Sequence, residues 1–380
     1  MLTERHTILF ILHLPPPVHG AAMMGKYIHD SKLINNGFDS HYINLTTAKD
    51  LQDIGKGGIK KLWKFVRLLM TIRREVRWLK PQLVYVTPNA KGGAFYKDFV
   101  VVQMLKRLGC RVVVHYHNKG VATRQDRWLD DKLYKRFFKD IKVILLAEAL
   151  YQDVKKYVKR EDVCICPNGI PETCIDEQNV KNENETPHLL FLSNLIVSKG
   201  VLVLLDACKI LKDKGFSFVC DFVGGETAEI DKPRLNMEVE ERCLGGYVVY
   251  HGRKYGSEKI DAFNNADIFV FPTYYDNECF PLALLEAMEQ SLPCISTNEG
   301  GVSSIIEDGK NGFIIPCQMD KGVNRGPSSI ELAEAIEKLI RNPQLRLRIG
   351  EDGYQKFKRC YTLAAFEQNF ADILLNLMQL

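Results

Sequence analysis

Long apolar segments are missing from this sequence of 380 residues. Nowhere do 18 apolar residues follow one another, so no transmembrane helix is expected. The apolar stretch at 7–14 is short, contains His13 and leads into three prolines, which favours a buried first strand over a secretory signal peptide. We therefore predict a cytoplasmic protein, with any membrane contact peripheral and on the inner face of the cell membrane.

Two common nucleotide-binding signatures are also absent. No Gly-x-Gly-x-x-Gly follows the first apolar stretch, and the chain has no P-loop. These absences argue against an NAD-dependent dehydrogenase and against a P-loop enzyme. The eleven cysteines, from Cys110 to Cys360, lack the paired spacing of disulfide frameworks and zinc sites. We expect reduced thiols and no bound metal.

The two halves of the chain carry charge of opposite sign. Residues 1–170 contain 30 Lys and Arg against 15 Asp and Glu, whereas residues 171–380 contain 21 against 32. This polarity indicates either an anionic partner for the first half or uneven solvation of two domains. Nucleic acid is not the expected partner, because no motif interleaves basic and aromatic residues.

Short β-rich segments alternate with helical stretches in both halves, which predicts two doubly wound parallel sheets. A polar run at 171–187 separates the halves. We predict a first domain over 1–171, a linker over 172–187, a second domain over 188–355 and a C-terminal helix over 356–380 that packs back on the first domain. The predicted strands are 7–13, 40–44, 83–87, 111–116, 142–146, 162–166, 189–193, 217–223, 247–251, 268–272, 293–297 and 312–316.

Three features of the second half follow predicted strands, where open α/β sheets bind ligands. Lys199 opens a helix, a position that suits a phosphate. Gly224 and Gly225 form a turn that allows close approach to the backbone. The third feature is the segment 272–288, in which Glu278 precedes a helix and Glu286 lies on it.

Residues 189–316 resemble the donor-binding domain of the retaining glycosyltransferases of family 4. The family signature is a glutamate, seven residues, a second glutamate and a downstream Gly-Gly turn; here these are Glu278, Glu286 and Gly300-Gly301. The segments 15–21, 115–118 and 166–170 extend the resemblance over nearly the whole chain. It implies the α/β GT-B fold, in which two Rossmann-like domains face each other across a cleft, the first binding the acceptor and the second the nucleotide sugar.

The resemblance implies roles for individual residues. Glu286 would hold the ribose hydroxyls and Lys199 the diphosphate. Glu278 and His117 would lie beside the donor sugar as catalytic residues, with His115 as the rival to His117. The loop of His19 and Gly20 would approach the phosphate and the acceptor. The remaining donor-binding residues would be Asn194, Gly224, Arg253, Phe280 and Leu282.

The chain departs from the family pattern at three positions. Asn194 replaces the arginine that usually accompanies the lysine, and Arg253 is a candidate substitute. Pro281 replaces a glycine. The helix should survive, because proline is tolerated in a first helical turn. Proline has no backbone N–H, so one expected backbone contact to the sugar would be missing. Ser304 stands where the family often has glutamate.

The expected function is transfer of a sugar, with retention of configuration and without a metal or other cofactor, from a nucleotide-diphosphate donor to a saccharide or lipid-linked acceptor. The resemblance points to the biosynthesis of cell-surface polysaccharide. The alternative is a non-catalytic protein on the same fold that binds a sugar nucleotide or a lipid.

A basic segment at 56–80 is the strongest feature of the first half, with nine Lys and Arg against Glu75. Its apolar residues recur at helical spacing, so one face should pack on the protein. The basic residues, together with Trp63, then either remain in water or contact an anionic membrane surface.

Overall fold

The computed structural model describes residues 5–16, 19–45, 59–173, 186–320 and 323–379. The chain divides into two compact units, one formed by Met1–Gly169 with Leu363–Leu380 and the other by Ile170–Thr362. Most of the predicted linker, residues 174–185, lies outside the described residues, as do residues 17–18 and 56–58.

The first unit is built on a parallel sheet with strand order β2-β1-β3-β4-β5-β6 among its described residues. The central strands are apolar and buried over nearly their whole length, as expected for a sheet covered on both faces. The strands are β1 (Thr7–Leu12), β2 (Asp39–Asn44), β3 (Leu83–Val86), β4 (Val112–Tyr116), β5 (Lys142–Leu145) and β6 (Val163–Ile165).

Helices connect these strands. Inward-facing Ile72 and Val76 of the basic helix are buried in the core of this unit, which confirms that one face of this helix packs on the protein. The helices are α1 (Gly20–Asp30), α2 (Lys32–Gly37), α3 (Ile59–Leu79), α4 (Gly92–Arg107), α5 (Trp128–Phe138) and α6 (Tyr151–Val154).

The second unit contains another parallel sheet, with strand order β12-β11-β10-β7-β8-β9 among its described residues. An antiparallel hairpin that the sequence analysis did not predict follows the last of these strands. The strands are β7 (His188–Leu192), β8 (Val219–Val223), β9 (Val248–Tyr250), β10 (Ile268–Phe271), β11 (Cys294–Thr297) and β12 (Gly312–Ile315), and the hairpin is β13 (Cys317–Asp320) with β14 (Val323–Pro327).

The helices of the second unit cover this sheet. Pro281 is the N-cap of the helix that carries Glu286, so the helix survives the proline as predicted. The helices are α7 (Val201–Asp213), α8 (Lys232–Glu241), α9 (Gly256–Asn264), α10 (Leu282–Glu289), α11 (Val302–Ile305), α12 (Ser329–Arg341) and α13 (Pro343–Cys360).

The last helix, α14 (Leu363–Gln379), belongs to the first unit. The predicted boundary between residues 355 and 356 falls inside α13, and the chain divides after Thr362 instead. In α14, Phe370 contacts the rings of Phe10 and Tyr85, with centroids 6.5 and 5.2 Å away. Among the described helices, none has the length and apolar composition needed to cross a membrane.

Candidate functional site

The carboxyl edge of the second sheet gathers most of the predicted donor-binding residues. Strand β7 lies between β10 and β8, so the loops that follow these three strands are neighbours. The backbone N–H of Tyr274 donates to the carbonyl of Ser198 (2.8 Å), and that of Leu195 donates to the carbonyl of Gly225 (2.8 Å). The three loops therefore form one bonded surface.

Lys199 and Glu278 form an ion pair on this surface. Lys199 Nζ lies 2.5 Å from Glu278 Oε2, and the two side chains are 15% and 9% exposed. The hydroxyl of Thr273, which is fully buried, donates to the same carboxylate oxygen at 3.2 Å. One buried carboxylate thus accepts hydrogen bonds from both a cation and a neutral hydroxyl group.

Two aromatic rings enclose the Lys199 ammonium. Its Nζ lies 4.6 Å from the ring centroid of Tyr275 and 5.3 Å from that of Phe271. The negative face of an aromatic ring attracts a cation, most strongly where water is excluded. The two rings therefore stabilise the Lys199 charge in addition to Glu278.

The Gly-Gly turn packs directly against the Glu278 loop. Gly300 has φ +58°, and a Cβ there would lie 2.3 Å from the carbonyl oxygen of Glu278. The next residue, Gly301, donates its N–H to the carbonyl of Cys279 at 2.7 Å. Only glycine meets both the backbone conformation and the close approach at position 300, so the turn fixes the position of Glu278.

Asn194 follows β7 and Arg253 follows β9, and the loop after β8 lies between them. The Asn194 side chain is exposed. The guanidinium of Arg253 covers Gly225, where a Cβ would lie 2.1 Å from its Nε, and the Gly225 carbonyl holds the loop that starts at Asn194. The structure thus places a cation over Gly225, whose carbonyl is bonded to the residue after Asn194. That Arg253 binds the diphosphate stays a prediction.

Glu286 lies on α10 and is paired with Lys259, a residue of α9 that the sequence analysis missed. Lys259 Nζ lies 2.5 Å from Glu286 Oε1. Burial raises the pKa of Glu286, and the Lys259 charge and hydrogen bond oppose this shift. Nothing in the sequence singles out Lys259, because its contact depends on how α9 packs beside α10.

The residues at the start of α10 have different surroundings. Phe280 is buried, with its ring 5.7 Å from that of Tyr361, so only its backbone is available to a ligand. Leu282 is the first residue of α10 and is half-buried. Ser304 contributes its backbone carbonyl, which accepts hydrogen bonds from Lys356 Nζ (2.9 Å) and the Tyr361 hydroxyl (2.8 Å).

The first unit places histidines at the carboxyl edge of its own sheet. His115, on β4, is fully buried and shares a hydrogen bond of 2.8 Å with the Tyr85 hydroxyl through its Nδ1. The ring of His117 lies 4.2 Å from that of His115. The rival histidines therefore differ, since the ring of His115 is held by Tyr85.

His19 and His13 follow β1 and lie close to each other, with ring centroids 6.0 Å apart. His19 is the N-cap of α1, where its Nδ1 accepts from the Ala22 N–H at 3.3 Å, and Gly20 is the first residue of that helix. Burial lowers the pKa of His13 to about 4, and burial with the charges of His13 and His19 lowers that of His117 to about 3. His13 and His117 are therefore neutral imidazoles at physiological pH.

Carboxylates and histidines of the described residues are not arranged as a metal site: no group of three or more His, Cys, Asp or Glu side chains is placed to hold an ion. The predicted independence from metal stays a prediction.

Known proteins resemble this chain in both sequence and fold. O-antigen chain mannosyltransferase C of Escherichia coli is 28% identical over 69% of this chain and 68% of its own length. The putative colanic acid biosynthesis glycosyltransferase WcaL of Salmonella typhimurium is 25% identical over 57% of this chain, which spans only 55% of that relative. Alr3699/HepE of Anabaena, solved in complex with UDP, is 15% identical with a TM-score of 0.73, over 97% of this chain and 100% of its own.

The structural likeness identifies the fold as GT-B and confirms the predicted fold class. Residues 174–356 match the family described as glycosyl transferases group 1. This range contains Lys199, Glu278, Glu286 and the Gly300-Gly301 turn. The resemblance to this family is therefore carried by residues 174–356, just under half of the chain.

Proposed function

We propose that this chain transfers a sugar, with retention of anomeric configuration, from a nucleotide-diphosphate donor to a saccharide or lipid-linked acceptor in the synthesis of cell-surface polysaccharide. The observation that carries the proposal is the Lys199 ammonium, which lies beside Glu278 and two aromatic rings at the ligand-binding edge of the second sheet. UDP bound to Alr3699/HepE and the names of the two relatives support the donor class and the pathway.

Three residues have proposed roles in donor binding. Glu286 accepts hydrogen bonds from the ribose hydroxyls, and Lys199 contacts the diphosphate. When the bond between sugar and phosphate breaks, negative charge develops on the diphosphate, and the Lys199 ammonium stabilises it in place of a metal ion. Arg253 is the proposed second cation. The leaving phosphate then accepts the proton of the acceptor hydroxyl, which attacks from the same face.

The roles of Glu278 and the first unit extend the proposal. Glu278 contacts the donor sugar, where its carboxylate is held in place by Lys199, Thr273 and the Gly300 turn. His19 and Gly20, at the start of α1, contribute to acceptor binding. His117 is the histidine assigned to the reaction, because the ring of His115 is already bound to Tyr85.

A panel of nucleotide sugars tests this function. A donor present at 100 times its Kd should stabilise the protein by about 2.7 kcal/mol, and the stabilising donor should turn over with an oligosaccharide or lipid-linked acceptor. NMR of the product determines its anomeric configuration. Binding without turnover would favour the alternative, a non-catalytic protein that binds a sugar nucleotide. The exposed Asn194, which replaces an arginine of the family pattern, is the reason to test this alternative.

We propose further that α3 binds the anionic cytoplasmic face of the cell membrane. Its outer side exposes Trp63 and Trp78, which are 69% and 74% exposed. A shallow surface groove on this side is lined by Met70, Arg73, Arg74, Arg77 and Trp78. Exposed aromatic residues among basic ones are typical of helices that lie in a membrane interface, and the cytoplasmic leaflet carries negative surface potential.

Vesicle sedimentation tests the membrane proposal. Replacing Arg73, Arg74 and Arg77 by glutamine should remove about 3 kcal/mol of attraction to anionic vesicles, or roughly a hundredfold in partitioning. A control variant with Lys232, Lys338 and Arg348 replaced by glutamine loses the same charge from exposed positions of the second unit and should bind as the parent does. Equal binding to neutral vesicles, or binding that high salt leaves unchanged, would contradict this proposal.

A further inference from the structure

The pair of Lys259 and Glu286 carries an inference beyond the roles described above. We propose that Lys259 is a positioning residue, which keeps the Glu286 carboxylate ionised and oriented so that it can accept hydrogen bonds from the ribose hydroxyls of the donor. This inference rests on the proposed function, because it takes Glu286 to be the ribose ligand. Lys259 itself need not touch the nucleotide.

The geometry leaves part of the carboxylate available. Lys259 Nζ contacts Oε1 of Glu286 at 2.5 Å, and none of the described residues makes a hydrogen bond to Oε2. An ionised carboxylate has about four acceptor positions, so a cation on one oxygen leaves room for two neighbouring hydroxyl groups. The side chains are 27% and 24% exposed, which leaves a ligand access to the pair.

The surrounding charges make Glu286 dependent on this lysine. Among the described residues, Lys259 is its only cationic partner. Glu289 lies one turn further along α10, where it accepts hydrogen bonds from Thr173, and the charge of Glu286 contributes to raising the pKa of Glu289. The nearby Glu172 is paired with Lys358. Without Lys259, the effect of burial on Glu286 would have no cationic partner among the described residues to oppose it.

Loss of the cation therefore changes the protonation of Glu286. Burial already raises the pKa of this carboxyl, and Lys259 opposes the shift. A protonated carboxyl accepts fewer hydrogen bonds and presents a donor to the ribose. In a Lys259→Met variant, nucleotide binding should consequently weaken as the pH falls, whereas the parent should keep its affinity over the same range.

UDP binding measured from pH 5.5 to 8.5 tests the proposal, with GDP titrated in parallel. Below the raised pKa of Glu286, K259M should lose affinity by up to about tenfold per pH unit, as expected when binding requires one ionised group. Lys259→Arg, which retains the charge, should follow the parent. Lys209→Met removes a lysine from an exposed ion pair on α7 and should also leave the pH profile unchanged.

A second variant separates positioning from a purely structural role. In the double variant Lys259→Met with Glu286→Gln the carboxyl cannot titrate, so the pH dependence seen in K259M should disappear. If it persists, or if K259M binds as the parent does at every pH, Lys259 does not act through Glu286. An affinity loss in K259M that is equal at all pH values would indicate only a structural tie between α9 and α10, and would overturn the proposal.

The proposed function fails in a different way. If Glu286→Gln binds UDP and GDP as tightly as the parent does, or if the parent binds no nucleoside diphosphate, Glu286 is not the ribose ligand and both proposals fall. A parent that binds, an E286Q variant that does not and a K259M variant with an unchanged profile would overturn the role of Lys259 alone.

Discussion

Removing either partner of the ion pair between Lys199 and Glu278 should have opposite effects on nucleotide affinity. In the free protein the ammonium contacts Glu278, and in the proposed complex it contacts the diphosphate. Glu278→Gln removes a negative charge that competes with the phosphates, so UDP should bind as tightly as before or more tightly. Lys199→Met removes the cation, and the lost charge-assisted hydrogen bond of about 1.5–3 kcal/mol should weaken UDP binding by about 10- to 100-fold.

The effects on stability should also differ between the two variants. Breaking a buried pair costs about 3–5 kcal/mol, and the lower end applies because Lys199 is 15% exposed. In K199M this lowers the unfolding midpoint of the second unit by about 6–12 °C, since among the described side chains Glu278 then keeps the Thr273 hydroxyl alone. In E278Q the rings of Tyr275 and Phe271 still stabilise the ammonium by about 0.5–1 kcal/mol each, so the loss should be smaller.

Calorimetric titration with UDP and thermal unfolding of the parent, both single variants and the double variant measure these effects. Lys209→Met serves as the control, because the exposed pair of Lys209 and Asp213 lies on the same unit and exposed pairs contribute little. The reasoning is refuted if E278Q loses as much UDP affinity as K199M, because Lys199 would then not exchange Glu278 for phosphate. Equal losses of stability would refute the contribution of the rings.

Two further predictions concern other parts of the site. Gly300→Ala should lower stability and turnover far more than Gly309→Ala. Both glycines have positive φ, but only at position 300 would the new Cβ meet the Glu278 backbone. Thermal unfolding and initial rates of the two variants check this. The free energy of unfolding of the first unit should fall as the pH drops from 6.5 toward 4. In this range His13 and His117 bind protons in the unfolded chain but not in the folded one. Each of the two histidines adds a slope of up to about 1.4 kcal/mol per pH unit. Urea unfolding of His117→Asn should show a shallower slope, and an unchanged slope would mean that this imidazole titrates normally.

The sequence predicted the parallel strands and the separate site residues, but not their contacts. Apolar runs such as 83–87 and 268–272 identify buried strands because both faces of a parallel sheet are covered. Lys199 and Glu278 were each predicted from the family likeness. Their ion pair was not, because it depends on β7 lying next to β10 in the sheet, and strand order leaves no periodic signal in a sequence.

Other features have no local signal for a similar reason. The hairpin of β13 and β14 was missed because Cys317–Asp320 has only four residues and is mostly exposed, so it forms no buried apolar run. The contact of Lys259 with Glu286 joins two helices across 27 residues of chain. Thr273 follows a predicted strand, and nothing in the sequence shows that it is buried against Glu278.

The position of α14 has a consequence for synthesis of the protein. Phe366 and Phe370 of this helix are buried in the core of the first unit, and Phe370 lies against the rings of Tyr85 and His115. A ribosome therefore finishes residues 170–362 before it delivers the segment that completes the first core. At 5–20 residues per second, the roughly 200 intervening residues take about 10–40 s. During that interval the core of the first unit lacks the two rings that α14 contributes.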